Sequence, residues 1–232
     1  MKRFYTTVAL VELGDRFGLH LDGRPVRTPM RALMAVPGKR LAEAIADEWQ
    51  AQGEQIDPRS MPLTGLANAA IDRFLPGPAS FAASLLPYGD SDVLLYRSAE
   101  PEELANRQVS LWNPILDWAE RQFGVEFVPV VGIVHQSQPP KTLAKLAAAL
   151  NRLDPFRLVA MQPLVTITGS IVIALALEQD ALSADAAWAA SELDELYQAE
   201  HWGEDELAVQ ARQHRRESFT AALEFLRLLS LN

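Results

Sequence analysis

Between Asp194 and Glu206, six of thirteen residues are carboxylates: Asp194, Glu195, Glu200, Glu204, Asp205 and Glu206. No lysine or arginine stands among them, and Trp202-Gly203 interrupts the run. Paired carboxylates are the groups of acid–base hydrolysis, where one donates a proton and another activates water. Asp194-Glu195 is one such pair, and Asp90 with Asp92 is another. Two other readings stand beside that one. The carboxylates could cap helices and pair with arginines inside the fold, or they could face a basic partner on another molecule. A solvated helix commonly sets Glu against Lys at i,i+4, because like charges at that spacing oppose the helix. This segment forgoes that support.

Other catalytic patterns are missing. There is no GxGxxG, no GxxxxGK followed by Ser or Thr, no HExxH and no GxSxG. The four histidines, His20, His135, His201 and His214, lack metal-ligand spacing. Gly169-Ser170 lies in an apolar run, where small residues serve tight packing. The chain has no cysteine, which excludes disulfides, thiolate catalysis and thiolate metal sites. The expectation is a protein without catalytic residue, metal or cofactor. A net charge of −9 disfavours nucleic acid and anionic lipid as partners. The basic concentrations, Arg24 with Arg27 and Arg31, and Arg212 with His214, Arg215 and Arg216, are not interleaved with aromatics as single-strand binders require.

The elements that must position these residues follow from periodicity. Apolar residues make up 49% of 232, enough for a sizeable core. Phe4 to Leu13 is a strand-like run, Phe17, Leu19 and Leu21 alternate with polar or small residues, and Asp22-Gly23 signals a tight hairpin. Pro25 to Pro29 and Ala32 to Val36 read as further short strands. Helical spacing begins after Pro37, with Leu41, Ala44, Ile45, Glu48 and Trp49, and resumes at Met61-Pro62 until Pro76-Gly77-Pro78 breaks it. Asp92 to Arg97 fits either a buried strand or a helix end. Beyond Ser98 the pattern is mostly helical: 102–122 with a kink at Pro114, 141–150, a helix capped by Asp154-Pro155, 183–201 capped by Ser183, and 205–229. Val125 to Val134 is a β-branched run closed by His135-Gln136. The sum is an α+β chain, with an N-terminal β-rich part over 1–97 and a mainly helical part over 98–232. Leu158 to Leu177 carries no charge over twenty residues, but Pro163 and Thr168-Gly169-Ser170 split it into two buried core segments instead of a membrane span.

On one straight helix, Asp194, Glu195, Gln198, Trp202, Asp205 and Glu206 would share a side, and Leu193, Leu196, Tyr197 and Leu207 would define the apolar side. Glu200 and Glu204 would then fall in the middle of the apolar side, where an unpaired carboxylate costs several kcal/mol. Gly203 is the natural break, since a glycine past a helix end takes positive φ at little cost. The expectation is a helix ending at His201 or Trp202 and a new one starting near Asp205. Asp205 would act as cap, and Glu200 would partner an arginine such as Arg24 or Arg27.

The set Asp194-Glu195, Gln198, Trp202-Gly203 and Asp205 resembles the C-terminal signature of the assembly chaperone for the alpha subunit of the F-type ATP synthase. Other segments agree in order: 21–29, Ala46-Asp47-Glu48-Trp49 with Gln52, 61–72, 92–97, Trp112 with Pro114-Ile115-Leu116 and Trp118, and 169–177. The resemblance implies an ATP-independent chaperone that binds the unassembled alpha subunit, prevents its aggregation and promotes assembly of the catalytic head. It also implies a soluble monomer, without membrane insertion. The start at Met1 fits a bacterial cytoplasmic form, and a mature organelle form would sit in the mitochondrial matrix. It offers Asp194, Glu195, Gln198, Glu200, Trp202, Gly203 and Asp205 as client-binding residues, with Trp202 either an interface anchor or a core residue.

Overall fold

Asp22 and Gly23 have φ of 48° and 76°, the pair of positive values that a two-residue hairpin requires. This turn joins β2 (Arg16–Leu21) to β3 (Arg24–Pro25), while Gly14-Asp15 joins β1 (Val8–Leu13) to β2. The computed structural model describes residues 1–231. β2 is the centre of an antiparallel sheet. It pairs along its whole length with β1, from Val8 opposite Leu21 to Leu13 opposite Arg16. On its other edge it pairs with β3 at one end and with β4 (Ala35–Pro37) at the other. Pro25 to Pro29 and Ala32 to Val36 are thus mostly loop, linked by a single bridge between Arg27 and Leu33. Side chains replace the ladder there: the Asp72 carboxylate accepts from Thr28 Oγ1 (2.5 Å) and from the Met30 N–H (3.0 Å). Pro25 and Pro29 have no N–H to offer a ladder.

The helices follow in order: α1 (Lys39–Gln50), α2 (Pro62–Ala69), α3 (Pro78–Leu85), α4 (Pro87–Asp90), α5 (Glu102–Phe123), α6 (Pro140–Leu150), α7 (Pro155–Thr168), α8 (Ile171–Glu178), α9 (Ala184–Ser191), α10 (Leu193–Trp202) and α11 (Glu206–Ser230). A two-stranded parallel pair, β5 (Tyr96–Arg97) and β6 (Val130–Val131), lies among them. The architecture is α+β, an N-terminal antiparallel sheet with helices followed by a mostly helical region, as the periodicity implies.

The chain forms two compact units. One holds Met1–Pro78, Asp154–Ala160 and the end of the chain from Ala221. In it, α1 buries Leu41, Ala42 and Ile45 and packs on the sheet and on α2. The Glu48 carboxylate of α1 caps α2, accepting from the N–H groups of Leu63 (2.7 Å) and Thr64 (2.8 Å). Two free helix-end donors are thereby satisfied from a neighbouring helix.

The other unit holds Ala79–Leu153 and Met161–Thr220. Its α8 is apolar on every side, and Ile171 to Leu177 are all buried. The apolar run 158–177 is divided only at Gly169-Ser170, because Pro163 stays inside α7. Among the described residues no helix is long and apolar enough to cross a membrane. The β-branched run 125–134 is strand only at Val130–Val131. Elsewhere its backbone is satisfied by side chains: buried Gln138 bonds both the N–H (2.8 Å) and the carbonyl (3.0 Å) of Val128. Val131, Ile133 and Val134 are left exposed.

A buried carboxylate organises the start of α8. Asp92 has no solvent exposure. It accepts from Ser170 Oγ (2.8 Å) and from the N–H groups of Val172 (3.2 Å) and Leu94 (3.1 Å). Burial pushes its pKa from an ordinary value near 3.8 up to about 7, against those donors, which pull it down. Between the two values the folded state holds a proton that the unfolded chain has released. This group's contribution to stability therefore falls as pH rises from about 4 to about 7. Asp92→Asn should flatten that part of the pH dependence in urea unfolding, and an unchanged slope would assign the dependence to another group.

Candidate functional site

The acidic segment is two helices meeting at a glycine. α10 ends at Trp202, Gly203 takes φ 86°, and α11 begins at Glu206, as the geometry of the segment demands. The upstream boundary differs from expectation. The stretch from Ser183 is broken at Glu192, which separates α9 from α10 with φ −98° and ψ 6°.

Glu192 is 4% exposed and lies between two arginines of α11. Its Oε2 is 2.8 Å from an Arg215 guanidinium nitrogen and 3.4 Å from Arg212 Nε. Burial raises the Glu192 carboxyl above its ordinary range, and the adjoining Glu195 adds to this while Arg215 opposes it. The hydrogen bond to Glu192 raises the Arg215 guanidinium in turn. Arg215 also pairs with Glu195, and Arg212 with Glu204. Two guanidiniums three residues apart on α11 thus gather carboxylates from the α9–α10 junction, the first turn of α10 and the loop after Gly203.

The other side of α10 is tied to α5. Gln108, itself buried, donates to Asp194 Oδ1 (2.8 Å) and accepts the Ser98 N–H (2.8 Å). Glu200 pairs with Arg107 (2.7 Å), which also pairs with Glu103 (2.8 Å). Arg107, and not Arg24 or Arg27, is therefore the partner of Glu200. The Arg107 guanidinium lies 5.2 Å from the Tyr197 ring centre, and the His201 ring stacks on that same ring with centres 4.1 Å apart.

The seven residues singled out from the sequence divide cleanly. Asp194, Glu195 and Glu200 are committed to partners within the fold. Gln198, Trp202 and Asp205 are exposed, and among the described residues the side chains of Gln198 and Asp205 have no hydrogen-bond or ionic partner. Trp202 is 75% exposed, touching only the His201 ring at 5.9 Å among described aromatic contacts, so it is not a core residue. Gly203 supplies the positive φ that presents them. The cap expected from Asp205 is limited to its backbone carbonyl, which accepts the Val209 N–H (3.1 Å).

Two features escape the sequence. Leu207, assigned to the apolar side of a straight helix, is 71% exposed beside Trp202-Gly203 in sequence. Glu192 carries no signal except the Arg212 and Arg215 spacing, whose target lies twenty residues upstream. Among the described residues no three His, Asp or Glu side chains are grouped to hold a metal ion.

Comparison with known proteins gives a consistent result. The family described as "ATP12 chaperone protein" matches residues 2–120. Atp12 from Paracoccus denitrificans, a crystal structure, superposes with a TM-score of 0.93 at 38% identity, covering 98% of both chains. A crystal structure from Agrobacterium tumefaciens superposes with a TM-score of 0.93 at 39% identity, covering 98% of this chain and 86% of that one. The mitochondrial protein atp12 of Schizosaccharomyces pombe is 26% identical over 214 residues, 87% of this chain and 74% of its own length.

The network around Glu192 yields a stability contrast. Glu192→Ala leaves Arg212 and Arg215 facing each other without their shared buried carboxylate and should cost about 2–4 kcal/mol. Glu195→Ala removes a mostly exposed partner and should cost less than about 1 kcal/mol. Urea denaturation of both variants measures the difference, and equal losses would mean that Glu192 does not organise the junction.

Proposed function

The chain belongs to the ATP12 chaperone family, and from that premise we propose that the turn after α10 is where it meets its client. The family assists assembly of the alpha subunit of the F1 ATP synthase, and its members are chaperones, not enzymes. The alpha subunit is accordingly this protein's partner. The engagement of Asp194, Glu195 and Glu200 with Gln108, Arg215 and Arg107 runs against acid–base hydrolysis as their role.

One observation carries the site reading. Trp202 is displayed to solvent on a turn whose neighbouring carboxylates, Asp205 and Glu206, are uncommitted among the described residues, while Glu195, Glu200 and Glu204 are held by arginines. Exposing a tryptophan has a cost in water and favours contact with another apolar surface. Tryptophan is also the residue type that most often anchors an interface. Asp194, Glu195, Glu200 and Gly203 fix the turn, and Gln198, Trp202 and Asp205 contact the client, with Leu207 extending the apolar part. The protein acts as a monomeric holdase without an ATP cycle: it covers the interface of unassembled alpha subunit and is displaced on assembly. Its setting is the bacterial cytoplasm.

Light scattering of alpha subunit diluted from denaturant tests this. Trp202→Ala and Asp205→Lys change exposed groups whose side chains make no hydrogen bond or ion pair among the described residues, so each should alter stability by no more than about 0.5 kcal/mol. Each should nevertheless weaken protection several-fold. Glu195→Lys should lose protection together with some stability, because it sets a second cation against Arg215 in place of a carboxylate. If all three variants fold and protect as well as the parent, the client does not dock at this turn.

A further inference from the structure

The first unit carries a second surface with the chemistry of an interface. The backbone of Met1 to Arg3 pairs with that of Glu54 to Ile56, and the Tyr5 hydroxyl donates to the Trp49 carbonyl at 2.7 Å. These contacts set the N-terminal segment beside the end of α1 and open a cleft of about 620 Å³ against the β2–β3 hairpin. Phe4, Tyr5, Pro25 and Trp49 form its apolar lining, and Arg24 and Arg27 its charged lining. The Tyr5 ring lies 5.6 Å from that of Trp49 and meets Phe4 edge-on at 5.4 Å, while Phe4 itself is 64% exposed. The volume falls in the range of clefts that hold a specific segment or ligand.

The charges decide what fits. The one carboxylate at the cleft, Asp22, is consumed by four donors, the N–H and hydroxyl groups of Thr6 and Thr7. Arg24 makes no side-chain hydrogen bond or ion pair among the described residues. Arg27 spends one nitrogen on the Arg31 carbonyl (2.8 Å) and meets no carboxylate there. On a chain of net charge −9, the uncommitted charges at this cleft are therefore positive. Guanidinium groups recognise carboxylates through paired N–H donors, and an aromatic shelf beside them takes an apolar side chain.

We propose that this cleft binds an acidic, apolar-flanked segment of the client, setting a carboxylate against Arg24 and Arg27 and an apolar side chain against Phe4, Pro25 and Trp49. The identity of the client rests on the family reading, but the cleft does not depend on the acidic turn. The two surfaces are opposite in charge and would read different segments of one partner.

The test titrates the full chain against alpha subunit diluted from denaturant, at low and at high salt, and reads the concentration giving half protection. Arg24→Gln with Arg27→Gln should raise that concentration about tenfold at low salt, with the gap narrowing at high salt. Phe4→Ala, at an exposed position, should raise it at both salts. Arg121→Gln, a solvent-exposed arginine of α5, should leave it unchanged. A parent protein that does not protect alpha subunit overturns the family reading and this proposal with it. A parent that protects, with cleft variants that protect equally, overturns the cleft alone. Variants that change only the sedimentation of the protein by itself would make the occupant a second copy of the chain, and the proposal would fall.

Discussion

The arrangement of the acidic turn depends on one buried carboxylate, Glu192. A carboxylate taken out of water must be paired or neutralised, and this one is met by two guanidiniums from successive turns of α11. Glu192 stands at the break between Ser191 and Leu193, where α9 gives way to α10. It also brings Arg212 and Arg215 within reach of Glu204 and Glu195, so most of the local negative charge is neutralised inside the fold. On the opposite side of α10, Arg107 neutralises Glu200, and Gln108 holds Asp194 by a hydrogen bond. What remains free among the described residues is what the clamp does not reach: Gln198, Trp202, Asp205, Glu206 and the exposed Leu207. The clamp thus turns a run of like charges, which would destabilise a solvated helix, into a fixed platform with a small exposed face.

Features set by local backbone demand were legible in the sequence. Asp22-Gly23 and Gly203 each sit where positive φ is needed, and both appear where the chain must turn. The amphipathic helices, and the burial of the apolar run that holds α8, were legible for the same reason: their pattern is written in consecutive residues. The failures share the opposite character. Nothing near Glu192 announces a helix break or its burial, and its partners Arg212 and Arg215 lie twenty or more residues downstream. The run 125–134 has strong strand propensity, yet the Gln138 amide and Gly132 N–H to Arg97 carbonyl hold most of it as a loop. Strand propensity expresses fit to a pleated, half-buried surface, and here that surface is only two residues long. The Arg107–Glu200 pair joins residues 93 positions apart, beyond any local rule.

The same distinction bears on the site. Sequence similarity picked out Asp194, Glu195, Glu200 and Asp205 together, but they are not equivalent. Three are held by partners that position the helix, and one is free. A charge locked to an arginine contributes to recognition mainly by fixing shape, because most of its field is already compensated. A free charge on an exposed turn steers an approaching partner and is screened by salt. Substitutions at the two kinds of position therefore report different things, stability with orientation in one case and encounter in the other.

A chaperone that covers an assembly interface has to bind an aggregation-prone surface and still give way to the final subunit. A large apolar patch would satisfy the first demand and defeat the second, since its off-rate would be slow and the free chaperone would itself aggregate. Small apolar anchors flanked by uncommitted charge satisfy both. The charges raise the rate of encounter, and the limited apolar area keeps release within reach. The two surfaces proposed above, Trp202 beside Asp205 and Phe4 beside Arg24 and Arg27, would follow that plan with opposite signs of charge. If both take the client, opposite signs would also guard against error: a segment that suits one surface would be repelled by the other, so two weak contacts would suffice for specificity without either becoming too strong to release.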